Sequence, residues 1–405
     1  MSEYEMMYNL MLKARDVIKS VAHETPLTHS TFFSNITGKT VYLKLENLQK
    51  TGSFKVRGAY FKIYSLLPDV KVKGVVTASS GNHAQGVAYS ARELGIKSTI
   101  VMPETAPPYK VNAVKSYGSE VILYGRVYDD AYVKALEISE STGAYLIHPF
   151  DDPYVIAGQG TIGLEISEQL PEVDTVLVPI GGGGLISGIA LALKKRLGNK
   201  VKVVGVEPKT ASKTKESLIK GSPVRISPNT SIADGVLTKG LGSITFKVIR
   251  DFVDDVLEVD EDSIARAMYL LLERTKLLVE GAGALPIAAL LRYKDEIPGK
   301  NVVAVLSGGN ADLTVLYRVI LRGLMIDGRI AKVVMNLRDV PGSLERALKI
   351  IAEFRCNILD VMHERLDLDV EPGYARVKVL MELPDRNVYQ ELVKKLLESG
   401  IKVIT

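Results

Sequence analysis

The chain reads as an α/β protein with two parallel or mixed-sheet lobes, followed at its C-terminus by a smaller βαββαβ, ferredoxin-like domain. From about Val41 to Gly309, short β-branched runs alternate with amphipathic helical patterns, the order required by parallel sheets with crossover helices. Several of those runs end in glycine-containing turns that lead straight into a helical period. From Ala331 the pattern restarts as strand, helix, strand, strand, helix, strand, which is the split motif of ferredoxin-like domains. At 405 residues, two to three domains are expected. The boundary is placed near 320 to 330, giving domains 1–325 and 330–405, with a small lobe inserted at about 50–145.

Taken in order, the stretch Lys50–Ile63 (KTGSFKVRGAYFKI) carries a helical stripe of Val56, Ala59, Tyr60 and Ile63, continued by Leu67. Thr51 or Ser53 is the expected cap, which puts Lys55 in the first turn. GVVTAS (74–79) reads as a buried strand, and Ala84, Val87, Ala88, Ala91 and Leu94 as one face of the helix after it, closed by Gly95. STIVMP, a helix around Val111–Tyr117 ending at Gly118, and EVILYG (120–125) complete the small lobe. TVLVPI (175–180) and KVVGVEP precede a Lys-, Ser-, Thr- and Pro-rich stretch from Pro208 to Val236 that reads as loop with short helix. VVAVLSGGN (302–310) is a strand with a polar end. After the helical run LTVLYRVILRGLMIDG come KVVMNL, a helix through Leu344, Ala347, Leu348 and Ile351, then NILDVMHERL, YARVKVLMEL, VYQELVKKLLES and IKVIT.

Composition excludes several classes of function. Hydrophobic residues make up 46% and charged residues 24%, as in a soluble globule rather than a disordered or fibrous chain. Fifty-one basic residues against 47 acidic ones give a formal charge of +4, with no cationic stripe of the kind that binds nucleic acid. LALKKRLGNK (191–200) reads as the solvated end of a helix. No window of about 18 apolar residues predicts a membrane span. The single cysteine, Cys356, allows no intrachain disulfide and sits in an apolar context typical of a core position. The N-terminal MSEYEMMYNLMLKARDVI lacks the apolar run of a signal peptide, so a cytoplasmic location is expected.

Four constellations carry chemistry. A lysine in the first turn of a helix feels the positive end of the macrodipole, which favours the neutral amine that a covalent carbonyl link needs; alone, Lys55 also fits an exposed surface lysine. TASSGNHAQG (77–86) lies between strand and helix, where backbone N–H groups can hold an anion or form a well-capped turn. In PIGGGGLISG (179–188), four consecutive glycines let the backbone wrap a phosphate with a helix dipole behind it. A dinucleotide-binding reading competes there, because Glu207 ends the next strand where a ribose-binding acid would lie. The third glycine of that fingerprint is replaced by Ser187. Ser307 follows a buried strand. Ser80, Gly181 and Ser307 thus all lie beyond the carboxyl ends of strands, where ligands of open α/β sheets collect.

In this order SFKVRGA, SSGNHAQG, HPFDDP (148–153), GQGTIGLEI (158–166), PIGGGGLISG, SIADGV (231–236) and SGGN resemble the threonine dehydratase and serine racemase branch of fold type II pyridoxal-phosphate enzymes, over roughly residues 10–320. The C-terminal domain resembles an ACT module, with RDVPGSL (338–344) at its ligand turn, and the combination is similar to medium-length threonine ammonia-lyases. The resemblance implies pyridoxal 5'-phosphate as cofactor and Lys55 as the Schiff-base lysine, with Phe54 beside it. It implies a phosphate cup of Gly181, Gly182, Gly183, Gly184 and Leu185, Asn82 at the cofactor's 3-hydroxyl and Ser307 at its pyridine nitrogen. Ser79, Ser80, Gly81, Asn82 and His83 would bind the substrate, Ser80 matching the second acid/base of racemases. L-threonine would yield 2-oxobutanoate and ammonia, and L-serine pyruvate. Isoleucine, opposed by valine, is the expected effector through Asp339, Pro341, Gly342 and Asn357, in a homodimer or homotetramer. Some racemase relatives bind a divalent metal with a glutamate and, six residues on, an aspartate; here Glu207 is followed by Lys213, so no tight metal site is expected. Serine racemase, another β-replacing enzyme, an NAD-dependent dehydrogenase and an amino-acid sensor are the alternatives.

Overall fold

Each β-branched run singled out above forms a strand in the computed structural model of the protein, which describes residues 2–366 and 368–404. Thr405, the last residue of the expected closing strand, lies outside the described residues. In chain order the strands are β1 (Leu27–His29), β2 (Thr40–Lys44), β3 (Val75–Ala78), β4 (Ser98–Met102), β5 (Glu120–Leu123), β6 (Tyr145–Leu146), β7 (Thr175–Pro179), β8 (Lys202–Pro208), β9 (Asp255–Val259) and β10 (Asn301–Val305). These are followed by β11 (Ile330–Arg338), β12 (Asn357–Glu364), β13 (Tyr374–Glu382) and β14 (Lys402–Val403).

Two sheets build the first unit, Met1–Asp312. The larger runs β1-β2-β10-β7-β8-β9 and is parallel apart from the antiparallel edge strand β1. The smaller, β5-β4-β3-β6, is wholly parallel. β7 is buried at every position, as a near-continuous apolar run must be when helices cover both faces of a parallel sheet. The helices Pro153–Gln169 and Gly184–Leu197 cross so closely that Gly188 leaves no room for a Cβ against the backbone of Gly160.

The second unit, Leu313–Thr405, is a single antiparallel sheet ordered β12-β13-β11-β14 with the helices Ser343–Glu353 and Val388–Glu398. β11 and β13 alternate buried with less buried residues, the pattern of a sheet with one face on the core. Cys356 is buried in that core. The division falls after Asp312, ahead of the expected 320 to 330, because the helix Leu313–Ile326 groups with β11 and not with the chain before it.

Candidate active site

A cleft of about 1110 Å³ opens in the first unit, and the turns after β3, β7 and β10 all reach it. Phe54, Lys55, Ser79, Ser80, Gly81, Asn82, His83, the quartet Gly181–Gly184, Leu185 and Ser307 line it together. Residues scattered over most of the unit's sequence converge there because parallel strands deliver their C-terminal ends to one side of a sheet.

Lys55 is the first residue of the helix Lys55–Ser65. The expected cap by Thr51 or Ser53 does not form: Phe54 occupies the cap position with no side-chain bond, and the buried Thr51 and Ser53 hydroxyls have no partner. Bonds from a distant loop replace it, with Phe54 N donating to Ser307 O at 3.1 Å, Gly309 N to Gly52 O at 2.8 Å, and Ser53 bridging to Gly308. The start of the Lys55 helix is therefore held by the turn that carries Ser307. Its Nζ donates to the Pro149 carbonyl at 2.9 Å. Burial lowers its pKa to about 8, partly countered by the charge of Glu280. Desolvation is thus the main cause of the lowered pKa, a cause the macrodipole argument does not name.

The opposite wall is the start of the helix Gly184–Leu197. Its first intrahelical bond runs from Ser187 N to Gly183 O at 3.0 Å, so the N–H groups ahead of it are the free donors that a helix presents at its beginning. Gly183 has φ +96°, and a Cβ there would lie 2.9 Å from Thr245 and Ile249. Cβ atoms at Gly182 and Gly184 would collide with Phe150. Thr245 Oγ1 donates to Gly182 O at 2.8 Å, and Asp151 accepts from the N–H groups of Ser243, Ile244 and Thr245 at 2.9, 2.9 and 3.1 Å.

Asn82 begins the helix Asn82–Glu93, which crosses the Lys55 helix at Gly86, where a Cβ would sit 3.1 Å from the Lys55 backbone. Its amide is held at both ends: Nδ2 donates to Glu280 Oε1 at 2.7 Å, and Oδ1 accepts from Asn310 Nδ2 at 2.8 Å. Ser79 Oγ accepts from Gly81 N at 3.2 Å. His83 is buried with Nε2 3.0 Å from the Ile147 carbonyl oxygen. Burial, then the nearby Lys55, pushes its pKa down to about 3, so the ring is neutral.

Glu280, absent from the sequence-based assignment, lines the cleft and is buried at the cap position of the helix Gly281–Arg292. Burial, and next the charge of Asp234, raise its pKa to about 7. An acid inside the apolar run LLVEGAGALPIAALL is the signal that could have exposed it. At the cleft rim Lys110 pairs with Asp234 at 3.0 Å. Glu207, the candidate ribose-binding acid, is fully buried and receives the N–H groups of Thr214 and Lys215. No ribose can reach it, which removes the main support for the dinucleotide reading.

In the second unit, Gly342 has φ +87° at the cap of the helix Ser343–Glu353, and Asp339 pairs with Arg365 at 3.0 Å, with Pro341 in the turn between them. Asn357 starts β12 opposite Glu382, to which its amide donates at 2.9 Å. The register pairs Glu382 with Ile330 and Tyr374 with Arg338. Asn357 therefore lies at the far end of the sheet from Asp339, roughly 30 Å away at the usual rise of a strand, and one chain does not bring the four residues together.

A pyridoxal-phosphate group fits this cleft by its chemistry: an amine of lowered pKa, a backbone cradle for an anion, and an amide and a hydroxyl between them. The chain matches the family described as "Pyridoxal-phosphate dependent enzyme" over residues 18–308. It is 45% identical over 391 residues to an L-threonine ammonia-lyase of Thermotoga maritima, covering 96% of this chain and 97% of that one. Among solved structures it is similar to the processed form of threonine deaminase isoform 2 from Solanum lycopersicum (TM-score 0.75, 39% identity, 78% of this chain and 88% of that one). It is also similar to maize serine racemase (TM-score 0.74, 40% identity, 79% and 98%).

Proposed function

The chain belongs to the pyridoxal-phosphate dependent enzymes, and on that premise we propose that it is a threonine ammonia-lyase, converting L-threonine to 2-oxobutanoate and ammonia and L-serine to pyruvate. The observation that carries this reading is Lys55, an amine of lowered pKa that shares one cleft with the glycine quartet, in a chain alike over nearly its whole length to an L-threonine ammonia-lyase. Bound there, the cofactor supplies the electron sink that makes the α-proton of an amino acid removable. The chain supplies the rest. The quartet and Leu185 seat the phosphate on free N–H groups and a helix N-terminus. Asn82, fixed by Glu280 and Asn310, would help to hold the ring, and Ser307 would offer its nitrogen a neutral hydroxyl, which would favour prompt β-elimination. The turn Ser79–His83 receives the substrate carboxylate. Lys55, free as a neutral amine once substrate is bound, takes the α-proton, and Ser80 stands as the second acid/base.

Borohydride reduction of the holoenzyme followed by peptide mapping tests the core of this reading: the cofactor is expected on Lys55, and its recovery on another lysine would sink it. Lys55→Ala is expected to lower turnover by ~10²–10⁴-fold or more. The likeness to a serine racemase and the position of Ser80 in the cleft favour a second reading. Ketoacid release measured beside D-serine formation separates the two, and ketoacid is expected to dominate.

The second unit is read as an ACT-type regulatory domain, and the first as the catalytic one. Isoleucine, opposed by valine, is the proposed effector, acting through the 339–342 turn. Because Asn357 lies at the other end of the sheet, it can join that site only from a second copy, which requires a dimer or tetramer. Asp339→Ala and Asn357→Ala are each expected to abolish the isoleucine response in initial-rate assays while leaving basal turnover intact. Among the described residues no helix is long and apolar enough to cross a membrane; a cytoplasmic location is part of the same proposal.

A further inference from the structure

Lys213 is fully buried and takes no part in the chemistry above. It opens the helix Lys213–Lys220. Its Nζ lies 3.3 Å from each of three carbonyl oxygens, those of Ile180, Ala211 and Val236, and 3.6 Å from a carboxylate oxygen of Glu207. These distances are slightly longer than an ordinary N–H···O bond, as befits one ammonium shared among four oxygens. All four of these partners are acceptors. An ammonium has donors only, whereas the lone pair of a neutral amine would face a carbonyl. Burial lowers the Lys213 pKa and raises that of Glu207, and it outweighs what opposes it. Their mutual attraction, and the backbone N–H groups of Thr214 and Lys215 on the carboxylate, oppose it. Four oxygen acceptors around Nζ are the partners that an ammonium takes.

The cage joins segments distant in sequence. Ile180 immediately precedes the glycine quartet. Val236 ends the turn Asp234–Val236, against which the quartet packs: a Cβ on Gly181 would lie 3.4 Å from Val236 Cα and 3.5 Å from Gly235 O. Ala211 belongs to the loop after β8. Four glycines have no side chains to lock their conformation, so their fixed points must come from neighbours. Thr245 on the Gly182 carbonyl is one. Lys213 on the Ile180 carbonyl is the other.

We propose that Lys213 is a tethered cation and a positioning residue: its ammonium fills an all-oxygen cage and holds the glycine quartet against the 234–236 turn, so that the loop keeps its shape without a dissociable ion. Carbonyl and carboxylate oxygens are the ligands that hard cations take, and a covalently attached ammonium removes the dependence on their concentration. The inference rests on the reading of the quartet as the phosphate seat.

The test is chemical rescue. Holoenzymes of the wild type and Lys213→Ala are titrated with ammonium chloride, potassium chloride and, as an ionic-strength control, tetramethylammonium chloride, following cofactor retention and threonine turnover. The wild type is expected to respond to none of them. Lys213→Ala is expected to hold the cofactor about 10-fold or more weakly, with ammonium or potassium restoring most of the loss and tetramethylammonium none. A Lys213→Ala enzyme that retains cofactor like the wild type overturns the proposal, as does a folded one that no cation improves. If alanine prevents folding, Lys213→Gln keeps the side-chain length without the charge; wild-type retention with no cation response in that variant is equally fatal. Peptide mapping of the wild type separates the two claims. Cofactor absent from Lys55 defeats the underlying reading, whereas cofactor on Lys55 beside a cation-indifferent Lys213→Ala defeats the tether alone.

Discussion

Among the described residues, every buried polar or charged side chain lies between Thr25 and Ser307, whereas the interior of the second unit, around Val333, Met335, Ile351, Val379, Leu392 and Leu396, is apolar. The first unit places a cluster of four ions beneath the Lys55 helix. Arg57 pairs with Glu46 at 2.7 Å and with Glu165, and Lys44 with Glu165 at 2.5 Å. Such clusters add little net stability over a well-packed apolar alternative, because desolvation cancels much of the attraction. This one ties the helix that carries Lys55 to β2 through Lys44, to the 46–48 turn through Glu46 and to the helix Pro153–Gln169 through Glu165. The ion pairs of the second unit are exposed, as Arg365 with Asp339, or part-exposed, as Lys378 with Glu364 and Arg376 with Asp369. Among the described residues, fully buried ion pairs accompany the unit that holds the cleft.

Arg57→Ala puts the heaviest load on this contrast. It strands Glu46 and Glu165 without their partner and is expected to cost ~3–5 kcal/mol in denaturant unfolding, with loss of cofactor. A cost below about 1 kcal/mol would show the cluster to be dispensable. Leu392→Ala opens a cavity in the apolar unit and is expected to cost ~2–5 kcal/mol, removing the proposed isoleucine response while threonine turnover persists. Turnover falling in step with it would break the separation between the units.

Protonation sharpens the comparison within the first unit. Glu280 has its folded pKa raised to about 7 from 4.5, so between those values the folded apoprotein binds the extra proton and its stability falls as pH rises through the window, by up to about 3 kcal/mol. Glu280→Gln should flatten that slope in pH-dependent thermal melts. Lys55 runs the other way: its folded pKa of about 8 lies below 10.5, so stability rises with pH between the two. Capture of pyridoxal phosphate by the apoprotein should likewise accelerate as pH rises through about 8. The smallest effect is expected at the surface of the second unit, where Arg365→Ala should cost under about 1 kcal/mol.

Local pattern determined much of this molecule. Strand-to-helix punctuation by glycine and small polar residues placed Lys55, Asn82, the quartet and Ser307 at element ends, because periodicity and turn chemistry are properties of short windows. The same holds for the βαββαβ order of the second unit, whose alternation survives as the alternating burial of β11 and β13. Tertiary structure decided what no window contains. The Lys55 helix starts on bonds from the Ser307 loop and not on its own Thr51 or Ser53. Glu280 reaches the cleft, and Thr245 and Lys213 reach the carbonyls of Gly182 and Ile180, from segments far apart in sequence. Asn357 is carried away from Asp339 by antiparallel register. Hydrogen-bond partners and desolvation belong to the space that a residue enters, so charge state and contact were settled only when the chain folded.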